Sequence, residues 1–175
     1  MIDEIRRAAE PDIGGILNLL SQVLEVHAAI RPDLFITGKT KYTHDELREI
    51  IKDDDRPIYV AIGMSDEADD KGQCDEVDGA KREQVLGYAF CMIENVEPTN
   101  CSTGRKELYL DDLCVDESVR GTDVATRIFE HVKSESVLLG CDYITLNVWG
   151  GNIAAQKFYE KMGMKPRKTM MEIRV

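Results

Sequence analysis

One continuous stretch, residues 108–163, limits what this chain can fold into more than any other. An apolar segment passes through a small-residue turn, R-G-T-D-V-A (Arg120, Gly121, Thr122, Asp123, Val124, Ala125), into an amphipathic helix pattern. A second apolar segment follows, then N-I-A-A-Q-K-F-Y. A strand entering a helix through such a turn leaves unpaired backbone N–H groups at the helix start, beside the positive end of the helix dipole. That combination is a ready anion site. The second unit sets Asn152 at a helix start and Tyr159 almost two turns later, on nearly the same face. An anion cradle beside a tyrosine hydroxyl suits a ligand with a pyrophosphate at one end and a reactive thioester at the other, as in acyl-coenzyme A.

The rest of the chain supplies strands and helices around this unit. Residues 4–8 read as a first strand, and Pro11 opens a helix with Ile13, Leu17, Leu20 and Leu24 on one stripe. Pro32 ends that helix, and Phe35 can anchor the loop behind it. Thr43 and Glu46 form a capping box for a second helix with Leu47, Ile50 and Ile51 inward; Asp53, Asp54 and Asp55 stop it, because a helix C-terminus disfavours negative charge. Strands are expected over 57–64, 84–93, 107–115, 142–149 and 169–174, and helices over 123–139 and 152–162, with Gly140 and Gly163 closing the two helices. Residues 65–83, acidic and poor in large apolar side chains, read as a mobile, solvated hairpin loop that could be replaced by a short turn.

Composition narrows the function classes. The 175 residues suffice for one domain with a proper core, expected to span 1–175. A net charge of -11 argues against nucleic acid or an anionic membrane as partner, since both demand a basic face. No apolar run is expected to reach the roughly 18 residues of a membrane span, and the charged N-terminus lacks a secretory h-region, so a cytoplasmic location is expected. The five cysteines (Cys74, Cys91, Cys101, Cys114, Cys141) show no paired spacing. They read as reduced thiols, with Cys91, Cys114 and Cys141 in the core and no metal site.

Residues 108–163 resemble the acetyl-CoA-binding half of the GCN5-related N-acetyltransferase (GNAT) superfamily. The family's phosphate loop, R/Q-x-x-G-x-G/A, falls on the segment from Arg120 to Ala125, and its Asn followed by A..FY..G falls on Asn152, Ala155, Phe158, Tyr159 and Gly163. The element order fits over essentially the whole chain. The resemblance implies a mixed α/β fold: a single domain with a mostly antiparallel twisted sheet, flanked by helices and splayed between its fourth and fifth strands. It implies an enzyme that moves an acetyl group from acetyl-CoA, without a metal, to a small-molecule amine, a peptide N-terminus or a lysine, by direct attack in a ternary complex. It leaves a homodimer open.

The same resemblance assigns site residues. Leu113, Cys114 and Val115 lie on the strand expected to hold the pantetheine arm. Arg120, Gly121, Thr122, Asp123, Val124, Ala125 and Thr126 form the phosphate cradle, and Asn152, Ala155 and Phe158 line the cofactor from the last helix. Tyr159 would protonate the departing thiolate, and a backbone N–H near a bulge in the 111–115 strand would stabilise the oxyanion. Asp111 or Asp112 is the nearest proton acceptor for the amine; alternation lets only one of them aim at the thioester, and a bulge decides which. Arg120 reads as a phosphate clamp or a support for the loop, Asn152 as a helix cap, a cofactor contact or both, and His27 as structural or a substrate contact.

Two residues depart from the family pattern. Asp123 replaces its central glycine, so its carboxylate should point away from the phosphates as a helix N-cap, with negative φ. Asn147 stands where some members carry a glutamate base and cannot take that role. These departures keep a second class open, a coenzyme A-binding regulator or interaction protein without catalysis, and beyond it a structural domain that binds nothing.

Overall fold

Side chains alternate across a strand, and here that alternation sorts the core into two layers on either side of one sheet. The computed structural model describes residues 2–65 and 82–175; the loop expected over 65–83 lies, apart from its ends, outside the described residues, as does Cys74. In chain order the elements are β1 (Ile2–Arg7), a 3₁₀ turn at Glu10–Asp12, α1 (Ile13–Ile30), α2 (His44–Ile51), β2 (Ile58–Ser65), β3 (Arg82–Val96) and β4 (Arg105–Val115). A second 3₁₀ turn at Glu117–Val119 leads to α3 (Val124–Leu138), β5 (Tyr143–Leu146) and α4 (Ile153–Lys161). The five strands form one sheet in the order β1-β2-β3-β4-β5. Every neighbouring pair is antiparallel except β4 with β5, which run parallel.

One layer packs Ile13, Ile16, Leu19 and Leu20 of α1 and Leu47 and Ile50 of α2 against Val60, Ile62, Tyr88 and Phe90. The other packs Val124, Ile128, Phe129 and Val132 of α3 against Ala61, Ala89, Leu108 and Leu110. The capping box starts α2 as expected: the Glu46 amide donates to Thr43 Oγ1 and the Thr43 amide to Glu46 Oε2. With the turn before it, α1 forms a 21-residue stretch that contains an 18-residue window of mean hydropathy 1.4. Contrary to the sequence expectation, that is long and apolar enough by composition to cross a membrane; here its apolar face covers the sheet. Its buried stripe runs through Ile16 and Leu19, while Leu17 and Leu24 are only half-buried.

Two expected strands change. The fifth is short: β4 pairs with β5 only from Glu107↔Tyr143 to Leu110↔Leu146, and the two strands then part. The expected strand over 169–174 does not form, and the chain is irregular after α4. Side chains instead hold this tail. Arg167 donates to both carboxylate oxygens of buried Glu107 (2.8 and 3.0 Å), and Arg31 pairs with Glu172 at 2.5 Å. Met170, Met171 and Ile173 remain at least 85% exposed. β-propensity yields a strand only where an edge pairs with it, and no ladder forms between this segment and a described strand.

Candidate active site

The site begins where β4 and β5 separate. In β4, Leu110 pairs with Cys91 and Asp112 with Phe90, so Asp111 is an extra residue without a partner on β3. This bulge reverses the alternation. Leu108 and Leu110 pack on the α3 side, whereas Cys114, of the same parity, packs on the α1 side. Strict alternation, on which the sequence reading separated the two aspartates, is therefore suspended at this point. Both carboxylates find partners on the α1–α2 side: Lys41 Nζ lies 2.6 Å from Asp111 Oδ2, and the Tyr88 hydroxyl donates to Asp112 Oδ2 at 3.0 Å.

Tyr88 is fully buried and meets Phe90 edge-on at 5.0 Å; Tyr42 stacks on Phe90 at 5.6 Å. Burial pushes the Asp112 carboxyl up to about 6, against Lys41 and the Tyr88 hydrogen bond, which pull it down. A carboxylate so tuned exchanges a proton near neutrality. On the opposite face Tyr159 packs against Phe158 and Phe129, with ring centroids 5.1 and 6.0 Å away. Burial, and then the Asp112 charge, raise its hydroxyl well above the usual tyrosine range. Tyr159 thus stays protonated, and among the described residues its hydroxyl takes no hydrogen-bond partner.

Below the opening the backbone of β4 is free on one edge. The Asp116 amide donates to Leu86 O on β3. Alternation then turns the amides of Val115 and Leu113 the other way, toward the gap left by β5. Cys114 is not brought to the gap. Its amide faces β3 by the same rule, and its thiol, 3.6 Å from Leu19 O, is pushed up to about 12 by burial and so is inert as a nucleophile.

The turn before α3 is fixed from outside. Gln22 of α1 donates to Asp116 Oδ2 (2.9 Å) and accepts from the Glu117 amide (3.1 Å) and from Arg120 Nη2 (3.3 Å). Arg120 Nε donates to Val115 O, so its guanidinium supports the loop. Gly121 sits at φ +81, a conformation side chains resist. Asp123 has the expected negative φ, -84, and stands at the N-cap position; its side chain, however, makes no cap bond, a correction to the sequence reading. Thr122 Oγ1 instead accepts from the Val124 amide at 3.5 Å. Val124 itself is buried beneath α3, with Ala125 and Thr126 half-buried beside it. Among the described residues the amides of Gly121, Asp123, Ala125 and Thr126 have no protein acceptor, which suits a pyrophosphate.

The last helix places the remaining expected residues. Asn152 Oδ1 accepts from the Ala155 amide at 3.1 Å, an N-cap; Ala155 is half-buried, and Phe158 packs on Phe129. Asn147 donates to the Tyr109 hydroxyl at 3.0 Å. Toward the outside, Trp149 meets Phe35 edge-on at 5.3 Å and His27 at 6.4 Å, with Arg31 over its ring. Burial and the Lys41 charge hold His27 below its usual range, hence neutral at pH 7. Sequence reading missed Gln22, Lys41 and Tyr88. Only Tyr88 carried a signal, a tyrosine in an apolar strand whose hydroxyl needs a buried partner.

Comparison with known proteins agrees with this architecture. A family model described as the acetyltransferase (GNAT) family matches residues 26–164. The thialysine N-epsilon-acetyltransferase of Bos taurus is 25% identical over 170 residues, which cover 91% of this chain and 82% of that protein. Among solved structures, the BH1408 protein of Bacillus halodurans, as its tetramutant, superposes with a TM-score of 0.82 at 26% identity, covering 98% of this chain and 99% of that one. The aminoglycoside N-acetyltransferase AAC(6')-Iy in complex with CoA shares the fold, with a TM-score of 0.63 at 16% identity and 98% coverage of each chain.

Proposed function

The chain belongs to the GNAT acetyltransferase family, and from that membership we propose that it moves the acetyl group of acetyl-CoA to a primary amine by direct attack in a ternary complex. The observation that carries this reading is the position of Asp112, a desolvated carboxylate titrating near 6 at the point where β4 and β5 part. Free amides for a pyrophosphate lie further along the same chain segment. Acetyl-CoA supplies an activated acetyl thioester, and the chain does the rest.

An alkylammonium has a pKa near 10 and must lose a proton before it can attack. Asp112 accepts that proton, directly or through water, and passes it to solvent. Negative charge then develops on the acetyl oxygen, and an outward amide of β4, Leu113 or Val115, meets it; such a donor is worth about 3 kcal/mol in comparable sites. The departing thiolate takes a proton from Tyr159, whose high pKa keeps that proton available at neutral pH. Arg120 and Gln22 hold the loop so that its amides, rather than a cation, bind the phosphates.

Melting curves with and without acetyl-CoA test the cofactor, and a thiol-release assay over a panel of primary amines tests the reaction. At 100 times its dissociation constant acetyl-CoA should stabilise the fold by about 2.7 kcal/mol. Turnover should rise with pH through about 6 as Asp112 ionises. A melting curve unmoved by millimolar acetyl-CoA contradicts the cofactor, and binding without turnover of any amine leaves a coenzyme A-binding regulator.

A further inference from the structure

Among the described residues, lysines form ion pairs of two kinds. Lys52 with Glu49 and Lys133 with Glu130 are neighbours one turn apart on a helix, with both partners well exposed. Lys41 is different. It reaches across 70 residues of sequence from the loop between α1 and α2, and its acceptor, Asp111, is only 20% exposed. Asp111 is the bulged residue directly after the last β4–β5 pair, Leu110↔Leu146, so the Lys41 ammonium rests at the mouth of the opening. It lies 5.4 Å from the centre of the Tyr42 ring, which stacks on Phe90, and Phe90 pairs with Asp112. A carboxylate, an aromatic face and a neighbouring base make a seat for an alkylammonium. The protein fills that seat with its own side chain.

We infer that Lys41 is an internal acceptor, holding the acceptor-amine position at Asp111 and becoming acetylated there when no outside amine displaces it. The inference rests on the acetyl-transfer reading above. The step balances without a further reagent. The Lys41 ammonium gives one proton by way of Asp112 to solvent, its nitrogen forms a bond to the acetyl carbon and gives up a second proton to solvent, and the carbon–sulfur bond breaks. The thiolate then takes a proton from Tyr159, which solvent restores. The products are acetyl-Lys41, coenzyme A thiol and one proton released. The new amide carries no charge, so the ion pair with Asp111 ends and the seat passes to an outside ammonium. The acceptors this seat fits are small primary amines on a flexible alkyl chain, matching the lysine side chain that occupies it.

The test incubates the whole protein with acetyl-CoA alone and follows acetylation of each lysine by peptide mass spectrometry. Lys41 should be modified at least tenfold faster than Lys39 and Lys52, at a rate independent of protein concentration, and the difference should vanish in Asp112→Asn. A second measurement needs no acetyl-CoA: n-butylamine should bind Lys41→Met several-fold more tightly than wild type by calorimetry. Lys41 left unmodified with acetyl-CoA alone, by a protein that acetylates an added amine in a separate reaction, overturns the inference and spares the acetyl-transfer reading. Equal modification of Lys41 and Lys39, or unchanged n-butylamine affinity in Lys41→Met, also overturns it. Absence of acetyl-CoA binding altogether removes both.

Discussion

The two halves of the site are built from different material. On the proposed cofactor side, the turn before α3 and the lower edge of β4 present backbone amides, and the nearby side chains, Gln22 and Arg120, hold that backbone. On the proposed acceptor side Lys41, Tyr88, Asp111 and Asp112 meet one another through their side chains. A backbone-built half tolerates sequence change as long as its dihedrals hold. That explains how Asp123 can replace a glycine while its φ remains at -84. A half built from side chains changes chemistry with each substitution, so the proposed function expects acceptor choice to lie there.

This contrast can be broken most sharply at Tyr159. Tyr159→Phe keeps the packing on Phe129 and Phe158 and removes only the proton, so turnover should fall by about 10²-fold or more with acetyl-CoA affinity little changed. A drop in melting temperature with near-normal turnover would make the residue packing instead. Gln22→Ala attacks the other half. It frees the turn at Glu117 and Arg120 and should weaken acetyl-CoA binding about tenfold, roughly 1.4 kcal/mol, at unchanged turnover. Loss of turnover without loss of affinity would merge the two halves.

Smaller effects sharpen the contrast. Between about pH 4 and 6 the folded protein binds more protons at Asp112 than the unfolded chain, so stability falls as pH rises through that window and stays lower above it. Asp112→Asn should therefore be more stable than wild type at pH 8, by about 3 kcal/mol, and match it near pH 4. Equal melting at both values would place Asp112 in water. Smallest is Asp123→Asn, which removes a negative charge beside the phosphate amides without losing a cap bond. Acetyl-CoA should bind about two- to threefold more tightly at low salt, and the gain should fade as salt screens it. A weakened complex would show that the Asp123 carboxylate holds the turn.

Local chemistry made much of the fold legible in the sequence. The Thr43–Glu46 box, the small-residue turn into α3 and the Asn152 cap each depend on residues within one turn of each other, and each formed. The segment over 169–174 has strand composition, but a strand also needs a paired edge, and composition does not report edges. The bulge at Asp111 was legible as a break in the apolar pattern; the side it favours was not. That depends on Tyr88, 24 residues from Asp112, and Lys41, 70 residues from Asp111, which only the folded sheet brings together.

The division of labour between backbone and side chain can be measured in a single variant, with the acetyl-CoA dissociation constant and kcat determined side by side for Asp112→Asn. The expected result is a dissociation constant within twofold of wild type and a kcat lower by about 10²-fold, because the cradle is untouched and the proton acceptor is gone. A kcat equal to wild type, or a loss of affinity that accounts for the whole defect, would contradict it.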